Sequence, residues 1–226
     1  MINDSKKLWM SIDNKINPEP VALGRYASEE YIQDPIHLGI VAARYKFCAR
    51  MLHGFNNVLE VGCGDGFGSP IVASVVKQLT CTDINDPLIE DNKNRNIFLK
   101  NVTYEYFDFR DQYYPKKFNG IYLIDVIEHI YQQEEISFMN NILRSLSEYG
   151  TMIIGTPNKT AELYSSPCSR EAHVNMKDYK ELLYLAKQFF NNVFLFGMND
   201  EVLHTGYPSM THYLWVLCTS PRKKIK

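Results

Sequence analysis

The sequence predicts an α/β domain built on a Rossmann-like, doubly wound sheet of seven strands, mostly parallel, with an antiparallel last strand. Three observations carry this expectation. Apolar, β-branched runs of strand length alternate with stretches of helical spacing over most of the 226 residues. The joints between them are short. A glycine-rich segment, "NNVLEVGCGDGFGS" (56–69), follows the first run directly, as a strand-to-helix turn does where a backbone must approach a ligand closely.

Taken in order, residues 1–30 read as irregular, with Pro18, Pro20 and Gly24 as breakers. The stretch "PIHLGIVAARYKFCARML" (35–52) has helical apolar spacing and good helix formers. Seven runs then suit buried strands: "NVLEVG", "LTCTDI", "VTYEYFDF", "GIYLIDVI", "TMIIGT", "NVFLFGM" and "HYLWVLC". The stretches "SPIVASVVKQ", "NDPLIEDNKNR", "EEISFMNNILRSLS" and "MKDYKELLYLAKQFF" read as the helices between them. The last two strands lack a clear helix between them, which predicts a final antiparallel hairpin at the sheet edge.

Composition narrows the function classes. With 45% hydrophobic and 13% aromatic residues, the chain can bury one sizeable core. The net charge of -2 gives no footprint for nucleic acid or a membrane surface, and the basic end "PRKKIK" reads as solvated. The polar start lacks the apolar core of a signal peptide, and no run approaches the ~20 residues of a membrane helix. Five cysteines, an odd number without CxxC spacing, read as reduced thiols of a cytoplasmic protein with no zinc knot.

The glycines at 62, 64, 66 and 68 are the strongest local signal. Asp83 closes the second strand 21 residues after Gly62, where an acid takes ribose hydroxyls of an adenosine-containing ligand. The dinucleotide pattern GxGxxG fails, because its third glycine falls on Phe67 or Ser69. A phosphate-binding GxxxxGK[ST] loop is also absent. Glu60, two residues before Gly62, disfavours a pyrophosphate and suits a ligand with a cationic amine.

"LEVGCGDGFG" resembles the first motif of class I S-adenosylmethionine-dependent methyltransferases, E/DxGxGxG. The resemblance continues through Asp83, through "FDF" with Asp108, and through "GIYLIDVIEHI" and "GTMIIGTPN", over roughly residues 40–220. It implies S-adenosylmethionine as cofactor. Glu60, Gly62, Gly64, Gly66, Asp83, Ile84, Asp108, Phe109 and Asp125 are its candidate contacts, Asp83 on the ribose and Asp108 on the adenine amine. It also implies a helical lid segment, 1–52, with Arg25, Tyr26, His37, Arg44 and Tyr45, ahead of a cofactor-binding domain, 53–226.

Methyl transfer needs an aligned acceptor and, for a hydroxyl, a proton acceptor beyond the strand ends. His129, His173 and His204 are the catalytic candidates, following strands four, five and six. "DVIEH" further resembles ubiquinone-pathway and small-RNA 2′-O-methyltransferases, in which ExxEH and a later histidine hold a divalent cation. That implies Glu128, His129 and His173 as metal ligands, with Asp125 departing from the pattern's first glutamate. The reading is an O-methyltransferase of a small polar acceptor, such as a nucleotide-linked or phosphorylated sugar of polysaccharide biosynthesis. It would work as a cytoplasmic monomer or homodimer without nucleic-acid or membrane partners. An amine N-methyltransferase and a non-catalytic cofactor-binding partner subunit are the alternatives.

Overall fold

The computed structural model describes residues 4–16 and 19–222; Pro18 and the basic end from Lys223 onward lie outside the described residues. Three helices come first: α1 (Ser5–Asp13), α2 (Arg25–Gln33) and α3 (Pro35–Met51). The first two correct the irregular reading of residues 1–30. Asp4 accepts from the amides of Lys6 and Lys7 and so starts α1. Gly24, read as a breaker, is the N-cap of α2. In α3 the Asp34 carboxylate accepts from the His37 amide and Pro35 fills the first turn.

The alternating region runs β1 (Asn57–Val61), α4 (Ser69–Ala73), β2 (Gln78–Asp83), α5 (Asp86–Arg95), β3 (Val102–Tyr106) and β4 (Phe118–Ile124). A 3-10 turn, Ile127–His129, leads to α6 (Gln132–Ser145), β5 (Leu146–Pro157), α7 (Pro167–Ala172) and α8 (Tyr179–Phe189). The chain closes with β6 (Phe190–Asn199), β7 (Val202–His204) and β8 (Tyr213–Pro221). The helix expected over 69–78 stops at Ala73. Asn101 Nδ2 donates to the carbonyls of Ala73 and Val76, and the Gly54 amide to that of Val75, so a longer helix loses its acceptors.

All eight strands form one sheet in the order β3-β2-β1-β4-β5-β8-β6-β7. Strands β1 to β5 are mutually parallel where they pair, and β8 runs antiparallel to both β5 and β6. The last long strand is therefore antiparallel as expected, but it lies inside the sheet. The edge belongs to β7, the strand beyond the expected seven.

Alternate residues of each strand feed two cores. Val58, Tyr122, Ile153 and Trp215 pack beneath α3, while Leu59, Leu123, Ile154 and Val216 pack beneath α6 and α8. Helix α8 is anchored by a capping box between Asp178 and Glu181. All five cysteines are free thiols, four of them buried. No described helix is long and apolar enough to cross a membrane.

Candidate active site

A cavity of about 570 Å³ opens over the carboxyl ends of β1, β2 and β4, where ligands bind in open α/β sheets. Its floor is the glycine loop. Gly62, Gly64 and Gly66 have φ of 75°, 52° and 67°, in the left-handed region open to glycine. Gly68 has an ordinary φ, but a Cβ there would enter the Tyr45 ring. The four glycines thus answer two different demands, turn geometry at three positions and packing at the fourth.

The loop is tied down from several sides. The amides of Gly62 and Cys63 donate to the Thr82 carbonyl at 2.8 and 3.0 Å. Asn92 Nδ2 donates to the Gly64 carbonyl at 2.8 Å. Asp83 accepts from the Gly64 amide on one oxygen and from the Asn85 amide on the other, both at 2.9 Å. Each carboxylate oxygen has two acceptor sites, so capacity for hydroxyl donors remains. Ile84, Leu88, Phe107 and Phe109 add apolar walls, and Asp108 closes that end of the cavity. Asp108 is gripped by Arg110 through the guanidinium, at 2.6 to 3.1 Å, and through the Arg110 amide at 2.8 Å. This contact holds the Asp108 carboxyl below the usual carboxylate range.

Glu60 is placed differently from the other candidates. Its side chain turns beneath the loop and accepts from Ser69 Oγ at 2.8 Å and Cys81 Sγ at 3.2 Å. Burial pushes its carboxyl up, against the pull of those two donors. It does not line the cavity, so it reaches a cofactor only through the loop it supports. Burial, reinforced by Glu60, also pushes the Cys63 and Cys81 thiols well up, which leaves both inert as nucleophiles.

The other half of the cavity is lined from β4, the turn after it, and the N-terminal helices. Asp125 follows β4 with φ 54°, a left-handed conformation that aspartate tolerates better than most residues. Its Oδ2 accepts from Arg44 at 2.6 Å, and the Arg44 guanidinium also lies 4.1 Å over the Tyr213 ring. Burial pulls the guanidinium down, and Asp125 and Tyr213 more than offset it. Tyr26, Glu30, His37, Arg44 and Tyr45 all line the cavity, whereas Arg25 does not. His37 Nδ1 lies 2.7 Å from Glu30 Oε2.

The three candidate histidines separate. His129 lines the cavity, and its Nδ1 lies 3.0 Å from the Ala172 carbonyl. That carbonyl can only accept, so Nδ1 carries the hydrogen and Nε2 is left as the acceptor. His173 packs edge-on against His129 with ring centroids 5.0 Å apart, and it lines a second cavity of about 640 Å³ beside α6 and α8. Burial lowers its imidazole, and His129 lowers it further. His204 sits in β7, lines neither cavity, and accepts at Nδ1 from the Gly206 amide at 3.1 Å.

Glu128, His129 and His173 present donor atoms all within 4.8 Å of one another, and Glu128 Oε1 is buried without a hydrogen-bond partner. Those three suit a cation. The first position of the ExxEH pattern does not, because Asp125 pairs through Oδ2 with Arg44, whose positive charge would face the ion. Burial, reinforced by Asp125, pushes the Glu128 carboxyl up to about 8. The four-ligand set implied by the resemblance is therefore not assembled here.

Several cavity residues escaped the sequence reading, among them Glu30, Asp65, Leu88, Phe107 and Arg110. Asp65 sits between Gly64 and Gly66, where the glycines drew the reading, and Arg110 comes from the turn after β3.

The fold and the loop define a Rossmann-like α/β domain with a ligand cavity over the carboxyl ends of its parallel strands. Comparison with known proteins names the family: the chain belongs to the family described as "Methyltransferase domain", whose profile matches residues 30–193. A probable S-adenosylmethionine-dependent methyltransferase of Mycobacterium tuberculosis is 26% identical over 105 residues, 46% of this chain and 36% of that protein. This chain thus spans about a third of the curated relative it matches. Among solved structures, the N-methyltransferase NodS from Bradyrhizobium japonicum with S-adenosyl-L-homocysteine superposes with a TM-score of 0.65 at 15% identity, covering 84% of this chain and 90% of that one. The methyltransferase domain of bacterial CtHen1-C gives 0.65 at 17% identity, covering 80% and 98%. Phosphoethanolamine N-methyltransferase 1 of Haemonchus contortus gives 0.64 at 15% identity, covering 83% and 44%.

Proposed function

We propose that this chain methylates a hydroxyl oxygen of a small polar acceptor, a sugar that is nucleotide-linked or phosphorylated, in cytoplasmic polysaccharide biosynthesis. The observation that carries the choice of oxygen is the 3.0 Å contact of His129 Nδ1 with the Ala172 carbonyl. An amine attacks a methyl group in its free-base form, whereas a hydroxyl must shed its proton as it attacks. His129 offers an Nε2 lone pair at the cavity wall, fixed there by the Ala172 carbonyl.

When bound, S-adenosylmethionine supplies an electrophilic methyl group whose sulfur leaves with the C–S electron pair. Asp83 accepts the ribose hydroxyls, and Asp108 accepts the adenine amine once it is released from Arg110. Gly62 and Gly64 present a backbone surface free of side chains to the methionine part, while Gly66 lies outside the cavity lining and shapes the turn. Asp125, held by Arg44, orients the acceptor, and His129 Nε2 takes the proton of the attacking hydroxyl. His173 holds the imidazole from the side. The acceptor hydrogen bonds and the base together replace a Lewis acid, so we read the reaction as metal-independent.

The test incubates the purified protein with S-adenosylmethionine labelled in its methyl group and matched pairs of hydroxyl and amino sugars, free and nucleotide-linked, with and without chelator. Label in an ether that survives chelation supports this reading. Label only in the amino sugars moves the assignment to nitrogen, in line with the N-methyltransferases among the structural neighbours. Activity lost to the chelator and restored by Mn or Mg assigns Glu128, His129 and His173 to a cation.

A further inference from the structure

Asp65 stands between Gly64 and Gly66, and its side chain is buried. None of the cofactor-reading roles above uses it. One oxygen accepts from the Phe67 amide at 3.3 Å within the loop. The other leaves the loop and accepts from the Ala27 amide at 2.8 Å.

Ala27 lies in the first turn of α2, where backbone amides have no partner inside the helix. Gly24, the N-cap of that helix, has no side chain to supply one. The cap therefore comes from a residue 38 positions later in the sequence. Gly24 is also required sterically, since a Cβ there would overlap the Asp65 carboxylate. Arg95 fastens the same point by donating to the Asp65 carbonyl at 2.6 Å and to Asn92 Oδ1 at 2.7 Å.

Besides this cap, α2 is held by the Glu30–His37 pair and by its junction with α3 at Asp34. It has nine residues, too few to be stable alone in water, and Ala27 is its one buried residue. Yet it carries Tyr26 and Glu30 to the cavity wall, and Glu30 pairs with His37 of α3.

We propose that Asp65 is a positioning residue that couples the cofactor loop to helix α2, so that the acceptor side of the cavity is assembled only when the loop has its cofactor-holding shape. The proposal rests on the loop binding S-adenosylmethionine. It has two states. With α2 docked, the Asp65 carboxylate caps it, and Tyr26 and the Glu30–His37 pair face the cavity. With α2 released, the carboxylate is solvated and the helix loses its first-turn partner. A cofactor that rigidifies residues 62–68 holds the carboxylate in place and favours docking, and docking strengthens cofactor binding by the same factor.

Hydrogen exchange over residues 25–33, with and without S-adenosylhomocysteine, tests this, with calorimetry for the affinity. In the wild type the product should slow exchange across α2. Asp65→Ala should still bind it, weakened no more than about fivefold, the lower end of such couplings. Its α2 should exchange fast in both states. Gly24→Ala, which leaves Asp65 intact, should show the same pattern, and Asp65→Asn, which keeps an acceptor for the Ala27 amide, should restore part of the protection. Slow α2 exchange in Asp65→Ala, or wild-type exchange that the product does not change, overturns the coupling. Complete loss of binding in a folded Asp65→Ala would make Asp65 a cofactor contact instead. A wild type that does not bind the product overturns the methyltransferase reading as well.

Discussion

The half of the cavity over β1 to β3 and the half over β4 and the N-terminal helices are built by different means. The first is mostly backbone: three left-handed glycines, with a carboxylate at Asp83 that keeps acceptor capacity after its two amide bonds. The second is mostly side chains that already have partners: Arg44 with Asp125, Glu30 with His37, and His129 with the backbone carbonyl of Ala172. A backbone surface holds a ligand without depending on which side chains surround it. Paired side chains hold their geometry without a ligand, and they can be exchanged in pairs to suit another acceptor.

If the two halves are separable, damage to one should leave the other intact. The largest effect is expected at His129. His129→Gln should lower kcat about 10²- to 10⁴-fold, the scale of losing a general base, while S-adenosylhomocysteine affinity by calorimetry stays within about threefold. An equal fall in both would show the halves to be one unit.

Next comes Gly62→Ala. The left-handed backbone costs an L-residue about 1–2 kcal/mol, and overpacking against Val126 adds roughly 1–3 kcal/mol. Denaturant unfolding should show their sum, with cofactor binding lost. A smaller change comes from Asp83→Asn, which removes a charged acceptor. Affinity should fall by about 1.5–3 kcal/mol, with kcat at saturating cofactor preserved.

Arg110→Ala should have the smallest effect and sharpen the comparison, because it frees a carboxylate in the backbone-built half. Asp108 is depressed in the folded protein, so the stabilisation from Arg110 is present above the usual carboxylate range and disappears as the pH falls through the depressed value. Arg110 is well exposed and the pair is screened, so the difference in unfolding free energy at pH 6 should be under about 1 kcal/mol and vanish in strong acid.

Much of the backbone-built half was legible in the sequence. Strands buried on both faces are apolar at most positions, which is why "NVLEV" and "GIYLIDVI" stood out despite Glu60 and Asp125. The glycines and Asp83 are spaced by one strand, one turn and one helix, a local distance that the chain fixes by itself. The other half depends on pairs far apart in sequence. Arg44 and Asp125 meet across 81 positions, and His129 meets the Ala172 carbonyl across 43. Placement after a strand was enough to bring His129 to the cavity, but it grouped His204 with it, which the fold sets apart in β7. Helix α1 was missed although Asp4 is a local cap at its start, because Pro18, Pro20 and Gly24 marked the whole segment as irregular, and α2 because its cap comes from the distant Asp65.

The interior position of β8 bears on how the protein is made. Strand β5 ends at Pro157, and the strand that fills the gap between it and β6 ends at Pro221, 64 residues later. At ribosomal speeds of about 5–20 residues per second, that leaves roughly 3–13 s in which the nascent chain carries an open apolar slot awaiting Leu214, Trp215 and Val216. During that interval the growing polypeptide is a client for chaperones and a template for mispairing with neighbouring nascent chains. Synonymous codons between Asn158 and Tyr213 should therefore influence the soluble yield of this protein, while those in the first two strands matter less.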